Sequence, residues 1–282
     1  MERSLNTITN TFLGLLRLVV YANFWVAGAV WALTKFTEYL VDGQAHSLAL
    51  LNASGTLVVY GFAHLFEGPS DTDLSSKVSQ WKAQMPRISW LSIILGLVIS
   101  VAEFINIHSW GLLLHYVFGG AIAFLYPIPF ILKNKGGGLR SVPGLKLLII
   151  AGLWAYITAF IPAVWNGENG WMHFMERMLW AAALTIPFDV RDSSIDSKSI
   201  KTLPHLFGAR NSIFIAHACL WLSFMLLVLY FGLPLNATFL LFCFFAIVIV
   251  IANHNFGDLY YSFFIEGLPW LLLGLVALLP YL

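Results

Sequence analysis

The chain has 282 residues, of which 59% are hydrophobic and only 10% charged, against the roughly 25% charged residues of an ordinary soluble domain. That composition excludes a water-soluble globule and fits an all-α polytopic membrane protein, and a formal net charge of +1 with no basic tail excludes nucleic acid as a partner. Cys219 and Cys243 both stand in apolar runs without metal-ligand spacing and read as free thiols.

A bilayer core about 30 Å thick takes roughly 20 apolar residues per helix. In chain order, apolar stretches lie at 11–34, 47–66, 88–106, 109–131, 144–165, 170–188, 211–231, 235–253 and 259–281. We expect these to be about nine transmembrane helices in one domain, 1–282. Met1 to Asn10 lacks a small-residue cleavage site, so the first stretch is expected to be retained as a span. Ile107 and His108 alone separate the third and fourth stretches and predict a tight hairpin, as Gly232 to Asn236 does between the seventh and eighth.

If the amino terminus is cytoplasmic, the loops after spans two, four and six (about 67–87, 132–146 and 189–210) lie on its side. Of the 15 Lys and Arg residues, all but Lys35 and Arg177 then fall on that side, as the positive-inside rule requires. The expected location is an integral protein of a bacterial inner membrane, with its amino terminus in the cytoplasm.

Two of these loops also hold clustered acids, which the rule does not call for. Asp189, Asp192 and Asp196 step by three and then four residues, so a helix continuing past Phe188 would present all three on one face. Like charges this close repel by about 1 kcal/mol per pair at 4 Å even in bulk water, so a cation is expected among them. Mg²⁺ is held by one or two carboxylates plus substrate phosphates, which makes the patch a candidate seat for a Mg²⁺ diphosphate. Arg191, Lys198, Lys201 and Arg210 are near enough in sequence to reach the remaining phosphate oxygens. His64, Glu67 and Asp71 repeat the same spacing at the end of span two, although Gly68 and Pro69 interrupt that helix.

The segment Ile186-Pro187-Phe188-Asp189-Val190-Arg191-Asp192-Ser193-Ser194-Ile195-Asp196, followed by Lys201-Thr202-Leu203-Pro204, resembles the second aspartate-rich motif of the UbiA superfamily of intramembrane prenyltransferases. Tyr126-Pro127 with Lys133, Arg140 and Lys146 looks like that family's basic loop after span four. The resemblance implies helices around a central cavity and transfer of a prenyl group from a prenyl diphosphate to an aromatic or other lipophilic acceptor, with Mg²⁺ as cofactor. It further implies Asp192 and Asp196 as metal ligands supported by Asp189, these three as the catalytic carboxylates, and Arg191, Lys201, Tyr126, Lys133, Arg140 and Lys146 as diphosphate contacts. The family's first motif sets an Asn-Asp pair at the end of span two, whereas this chain reads Tyr60-Gly61-Phe62-Ala63-His64-Leu65-Phe66-Glu67. His64, Glu67 and Asp71 could form a rearranged metal site, but histidine suits Mg²⁺ poorly. A non-catalytic isoprenoid- or lipid-binding protein of the same fold is therefore the alternative, with a transporter as the third reading.

Within the spans, Glu103, Glu176, Arg177 and Glu266 stand where an ionisable group needs a partner or a function. Glu103 and Arg177 are expected to pair across helices. Asn23 in span one is a candidate substrate contact, and His254 and Asp258 lie where the loop after span eight approaches the acid patch.

Overall fold

The computed structural model describes residues 13–43, 45–66, 80–81, 84–126, 144–193, 202–252 and 256–278, and of residues 64–66 the backbone only. The described residues are helical and contain no strand. In chain order the helices are α1 (Leu13–Tyr21), α2 (Phe24–Leu40), α3 (Ala49–Phe66), α4 (Pro86–Ile107), α5 (Trp110–Leu125), α6 (Leu145–Trp165), α7 (Gly170–Asp192), the short α8 (Leu203–Phe207), α9 (Ala209–Leu229), α10 (Leu235–Ile251) and α11 (Tyr260–Leu278).

Local signals account for many of these boundaries. Pro86 opens α4 at a position where a missing N–H costs nothing. The hairpin to α5 is made by His108 in the left-handed region (φ 49°) and by Ser109, whose hydroxyl accepts from the Leu112 N–H at 3.3 Å. Asn169 caps α7 in the same way, accepting from the Trp171 N–H at 3.1 Å.

Four helices, α4, α6, α9 and α11, are long and apolar enough to cross a membrane, and α1 with α2 makes a fifth if the bent pair is one span. The apolar part of α3 (Ala49–Ala63), α5 and α10 are shorter apolar helices. Length and composition thus support an integral membrane protein with four or five such crossings among the described residues, rather than the full nine expected. In α7 the reason is visible in the sequence: Glu176, Arg177, Asp189, Arg191 and Asp192 interrupt its apolar run.

The first stretch also departs from expectation. Instead of one helix over 11–34, α1 and α2 meet at 63°, broken at Asn23 with φ 68°, and α2 continues through Lys35 because that ammonium pairs with Glu38 one turn on at 2.9 Å.

The helices pack in a ring. α2 lies against α3 and α11; α6 and α7 pack on each other; α7 leads through α9 and α10 back to α11. The main apolar core fills the half formed by α2, α7, α9, α10 and α11, around Phe36, Trp180, Leu220, Phe242, Phe245 and Tyr261. The other half, between α3, α4, α5 and α6, is hollow.

A buried polar layer ties the halves together. α6 carries a π-helical turn at Tyr156–Phe160, which displaces its backbone hydrogen bonds. The Ile157 carbonyl accepts from Asn52 Nδ2 at 2.9 Å, and the Thr158 carbonyl accepts from Thr37 Oγ1 at 2.7 Å. Arg177, fully buried, donates to the Leu33 carbonyl at 3.0 Å, Thr158 Oγ1 at 3.2 Å and Thr37 Oγ1 at 3.2 Å. Its charge partner is the adjacent Glu176, at 3.4 Å, which also accepts from Ser223 Oγ at 2.8 Å. The expected Glu103–Arg177 pair does not form. Glu103 instead meets His46 at 3.2 Å, because the register of α7 turns Arg177 toward α2 and α6 rather than α4.

Candidate functional site

α7 does continue past Phe188, with Pro187 inside it, and ends at Asp192. Asp189 and Asp192 therefore sit one turn apart at the charged end of the bundle. Each has a cation. Asp189, 1% exposed, takes Lys146 Nζ at 2.7 Å from the first turn of α6, while its second carboxylate oxygen is buried with no hydrogen-bond partner among the described residues. Asp192 accepts from its neighbour Arg191 in two places, from Nε at 2.7 Å and from Nη2 at 3.2 Å.

Arg191 is held on several sides. Its guanidinium lies over the rings of Phe188 at 5.3 Å and Tyr261 at 4.8 Å, and Nη1 stands 3.9 Å from Asp258 at the start of α11. α6, α7 and α11 thus converge on two carboxylates and two cations. Lys146, Asp189, Arg191 and Asp192, all singled out from the sequence, are brought together here, and Asp258 does approach them. Tyr126, at the end of α5, lines the neighbouring cavity.

Several expected site residues lie outside the described residues: Asp196, Lys201, Lys133, Arg140, Glu67, Asp71, Lys198 and His254. His64 is in the last turn of α3, with its side chain likewise outside. Arg210 is exposed at the start of α9. Among the described residues no three His, Cys, Asp or Glu side chains group closely enough to hold a metal. The two carboxylates that do stand here offer only oxygen, the donor that Mg²⁺ prefers, in the number it takes when substrate phosphates complete its shell.

The cavity beside this cluster measures about 680 Å³. Val59, Tyr60, Phe104, Phe124, Ile150 and Trp154 are among its mostly apolar walls. Lys146 lies one helical turn before Ile149 and Ile150, which line the cavity, so the cations mark one end of it. Toward the other end stand Asn52, whose Oδ1 accepts from the Tyr116 hydroxyl, and His115, hydrogen-bonded through Nδ1 to the Tyr156 hydroxyl at 2.6 Å. Reading the sequence for charge clusters missed this pair of polar contacts, for which the only signal is an Asn and a His inside apolar stretches.

No protein-family model and no curated protein sequence matches the chain. Solved structures do match. A UbiA homologue from Aeropyrum pernix, in its apo form, superposes with a TM-score of 0.65 at 16% identity, over 91% of this chain and 99% of its own. A UbiA homologue from Archaeoglobus fulgidus, bound to GPP and Mg²⁺, gives 0.56 at 14% identity over 94% and 100%; bound to DMAPP and Mg²⁺ it gives 0.52 at 15% over 96% and 99%. The fold is UbiA-like. Of the span-six segment that resembles the family's second aspartate-rich motif, residues 186–192 form the end of α7.

Proposed function

We propose that this chain is an intramembrane prenyltransferase, which moves a prenyl group from a prenyl diphosphate to a lipophilic acceptor. The observation that carries this reading is the junction of a carboxylate and cation cluster with one end of an apolar cavity, in a fold shared with UbiA homologues solved with GPP or DMAPP and Mg²⁺. The diphosphate would sit among Lys146, Arg191 and Tyr126, joined by Lys133, Arg140 and Lys201 from the adjoining loops, with the prenyl chain in the cavity.

Asp192 and Asp196, supported by Asp189, would hold Mg²⁺; His64, Glu67 and Asp71 are the weaker candidates for a second position. When bound, the metal neutralises charge on the departing diphosphate. Lys146 and Arg191 would donate to its oxygens, moving from carboxylate to phosphate and so stabilising negative charge as the carbon–oxygen bond breaks. The apolar walls would keep water from the allylic cation until a nucleophilic atom of the acceptor bonds to it and passes its proton to the departed diphosphate. Catalysis would take place on the cytoplasmic side, where the basic loops lie.

A test is binding of geranyl diphosphate to the purified protein with and without Mg²⁺, followed by an acceptor screen for transfer. Mg²⁺-dependent binding lost in Asp192→Ala, with product formed by the parent, is the expected result. Binding that persists in Asp192→Ala would displace the metal site. Binding without turnover against every acceptor would favour the alternative of a non-catalytic isoprenoid-binding protein, for which the missing Asn-Asp pair before Glu67 is the specific observation.

A further inference from the structure

The far end of the cavity holds a hydrogen-bonding group that the diphosphate chemistry does not use. Most polar side chains on the walls there are already matched by the protein. Asn52 spends its amide N–H groups on Thr34 Oγ1 at 3.1 Å and on the Ile157 carbonyl at 2.9 Å, and its Oδ1 accepts from Tyr116. Thr56 Oγ1 donates to the Asn52 carbonyl at 2.8 Å, Thr158 Oγ1 to the Trp154 carbonyl at 2.6 Å, and Ser100 meets Ser54 hydroxyl to hydroxyl at 2.8 Å. His115 is different. Its Nδ1 is taken by the Tyr156 hydroxyl at 2.6 Å, while its Nε2 has no hydrogen-bond partner among the described residues.

His217 Nε2 is unmatched too, but that atom is buried in packing, whereas His115 stands on the cavity wall. Tyr156 lies behind that wall, stacked on Phe160 at 5.4 Å and edge-on to Phe118 at 5.8 Å. The imidazole is thus anchored from behind, and Nε2 is the atom left for an occupant. An ionisable side chain this deep in an apolar bundle is expensive unless something engages it.

A neutral imidazole has one N–H and one bare nitrogen. If Nδ1 accepts from Tyr156, Nε2 donates; if Nδ1 donates, Nε2 accepts. A hydroxyl both donates and accepts, so either tautomer matches it, whereas a carbonyl fits the first alone. A charged group would be left unpaired in apolar surroundings. Tyr156, which anchors the ring, lies roughly 15 Å along α6 from Lys146.

We infer that the far end of the cavity is a subsite for an uncharged hydroxyl, carried on an apolar substrate about 15 Å from its reacting head. His115 is its specificity-determining contact, and Tyr156 is the residue that positions the ring. This rests on the prenyl diphosphate reading above, which sets the reacting head beside Lys146 and Arg191, and adds a substrate class to it: hydroxylated lipophiles. Either the tail of the prenyl donor or an elongated acceptor carries the group, and the test separates them.

The test measures affinities for two matched pairs of ligands in lipid nanodiscs with Mg²⁺. One pair is farnesyl diphosphate with and without a hydroxyl at the tail of its chain. The other is an alkylphenol with and without a terminal hydroxyl, offered together with inorganic pyrophosphate. In one pair or the other the parent protein should favour the hydroxylated ligand about fivefold, as one neutral hydrogen bond does. His115→Phe should cut that preference about tenfold, since an unmatched hydroxyl then enters an apolar space. His115→Gln keeps a hydrogen-bonding group and should cut it less, and Ser100→Ala should leave it unchanged. Tyr156→Phe should lower the preference while affinity for the plain ligand holds, which a loss of packing alone would not do.

A preference in the diphosphate pair assigns the hydroxyl to the donor, and one in the phenol pair assigns it to the acceptor. The parent's preference is read without any variant, so it remains decisive if His115→Phe fails to fold. No preference in either pair, or one that survives His115→Phe, overturns the subsite; farnesyl diphosphate that still binds with Mg²⁺ then leaves the diphosphate site standing. A hydroxyl preference in the phenol pair, in a protein that binds no prenyl diphosphate, overturns the prenyl donor and leaves the subsite.

Discussion

Lys146 and Asp189 illustrate how much rests on single side chains at the charged end. Asp189 is almost wholly buried and its ammonium partner nearly so, and removing one member of a buried pair leaves the other charge uncompensated. Lys146→Ala should destabilise the protein by about 3 kcal/mol, read as a lower unfolding temperature in detergent. The double change Lys146→Ala with Asp189→Asn should recover most of that loss, and failure to recover would show that the pair is not what holds the two helices. Arg191→Lys keeps the charge but loses the forked contact with Asp192 and the stacking on Phe188 and Tyr261. Diphosphate binding should weaken about tenfold in a pyrophosphate titration, and equal affinity would remove Arg191 from the site. The members of this cluster were legible in the sequence, because charges clustered near span ends stand out against an apolar background. Their partners were not. Lys146 and Asp189 meet only through the packing of α6 on α7, and Glu103 turned out to face His46.

At the scale of elements, the π-helical turn in α6 is what lets three helices share buried hydrogen bonds. Asn52 is the hinge pin of that arrangement, donating to the Ile157 carbonyl and to Thr34 Oγ1 at 3.1 Å and accepting from Tyr116. Asn52→Leu should cost about 1 kcal/mol or somewhat more, measured by thermal unfolding, whereas Asn52→Asp would bring a charge into the same place and cost more. Helix positions from α3 onward agree with the apolar stretches to within a few residues, since hydrophobicity decides where a chain enters lipid. The break at Asn23 and the π-helical turn were not legible, because neither alters the apolar pattern; each depends on backbone geometry that the neighbouring helices stabilise.

For the whole molecule, the distribution of Lys and Arg predicts an orientation that can be checked directly. Glu168→Cys, exposed between α6 and α7, should react with a membrane-impermeant maleimide from outside intact cells, and His205→Cys, exposed in α8, only after the membrane is opened. The reverse pattern would invert the topology and place the carboxylate cluster outside.

The seam between α2 and α11 has a consequence for biosynthesis. Trp25 donates its indole N–H to the Phe263 carbonyl across 238 residues of sequence, so the ring of helices closes between one segment and another made 238 residues later. At ordinary rates of synthesis that interval is roughly 10–50 s. During it the tryptophans of α2 stand in the membrane without their partners, available to lipid, to an insertion chaperone or to another nascent chain.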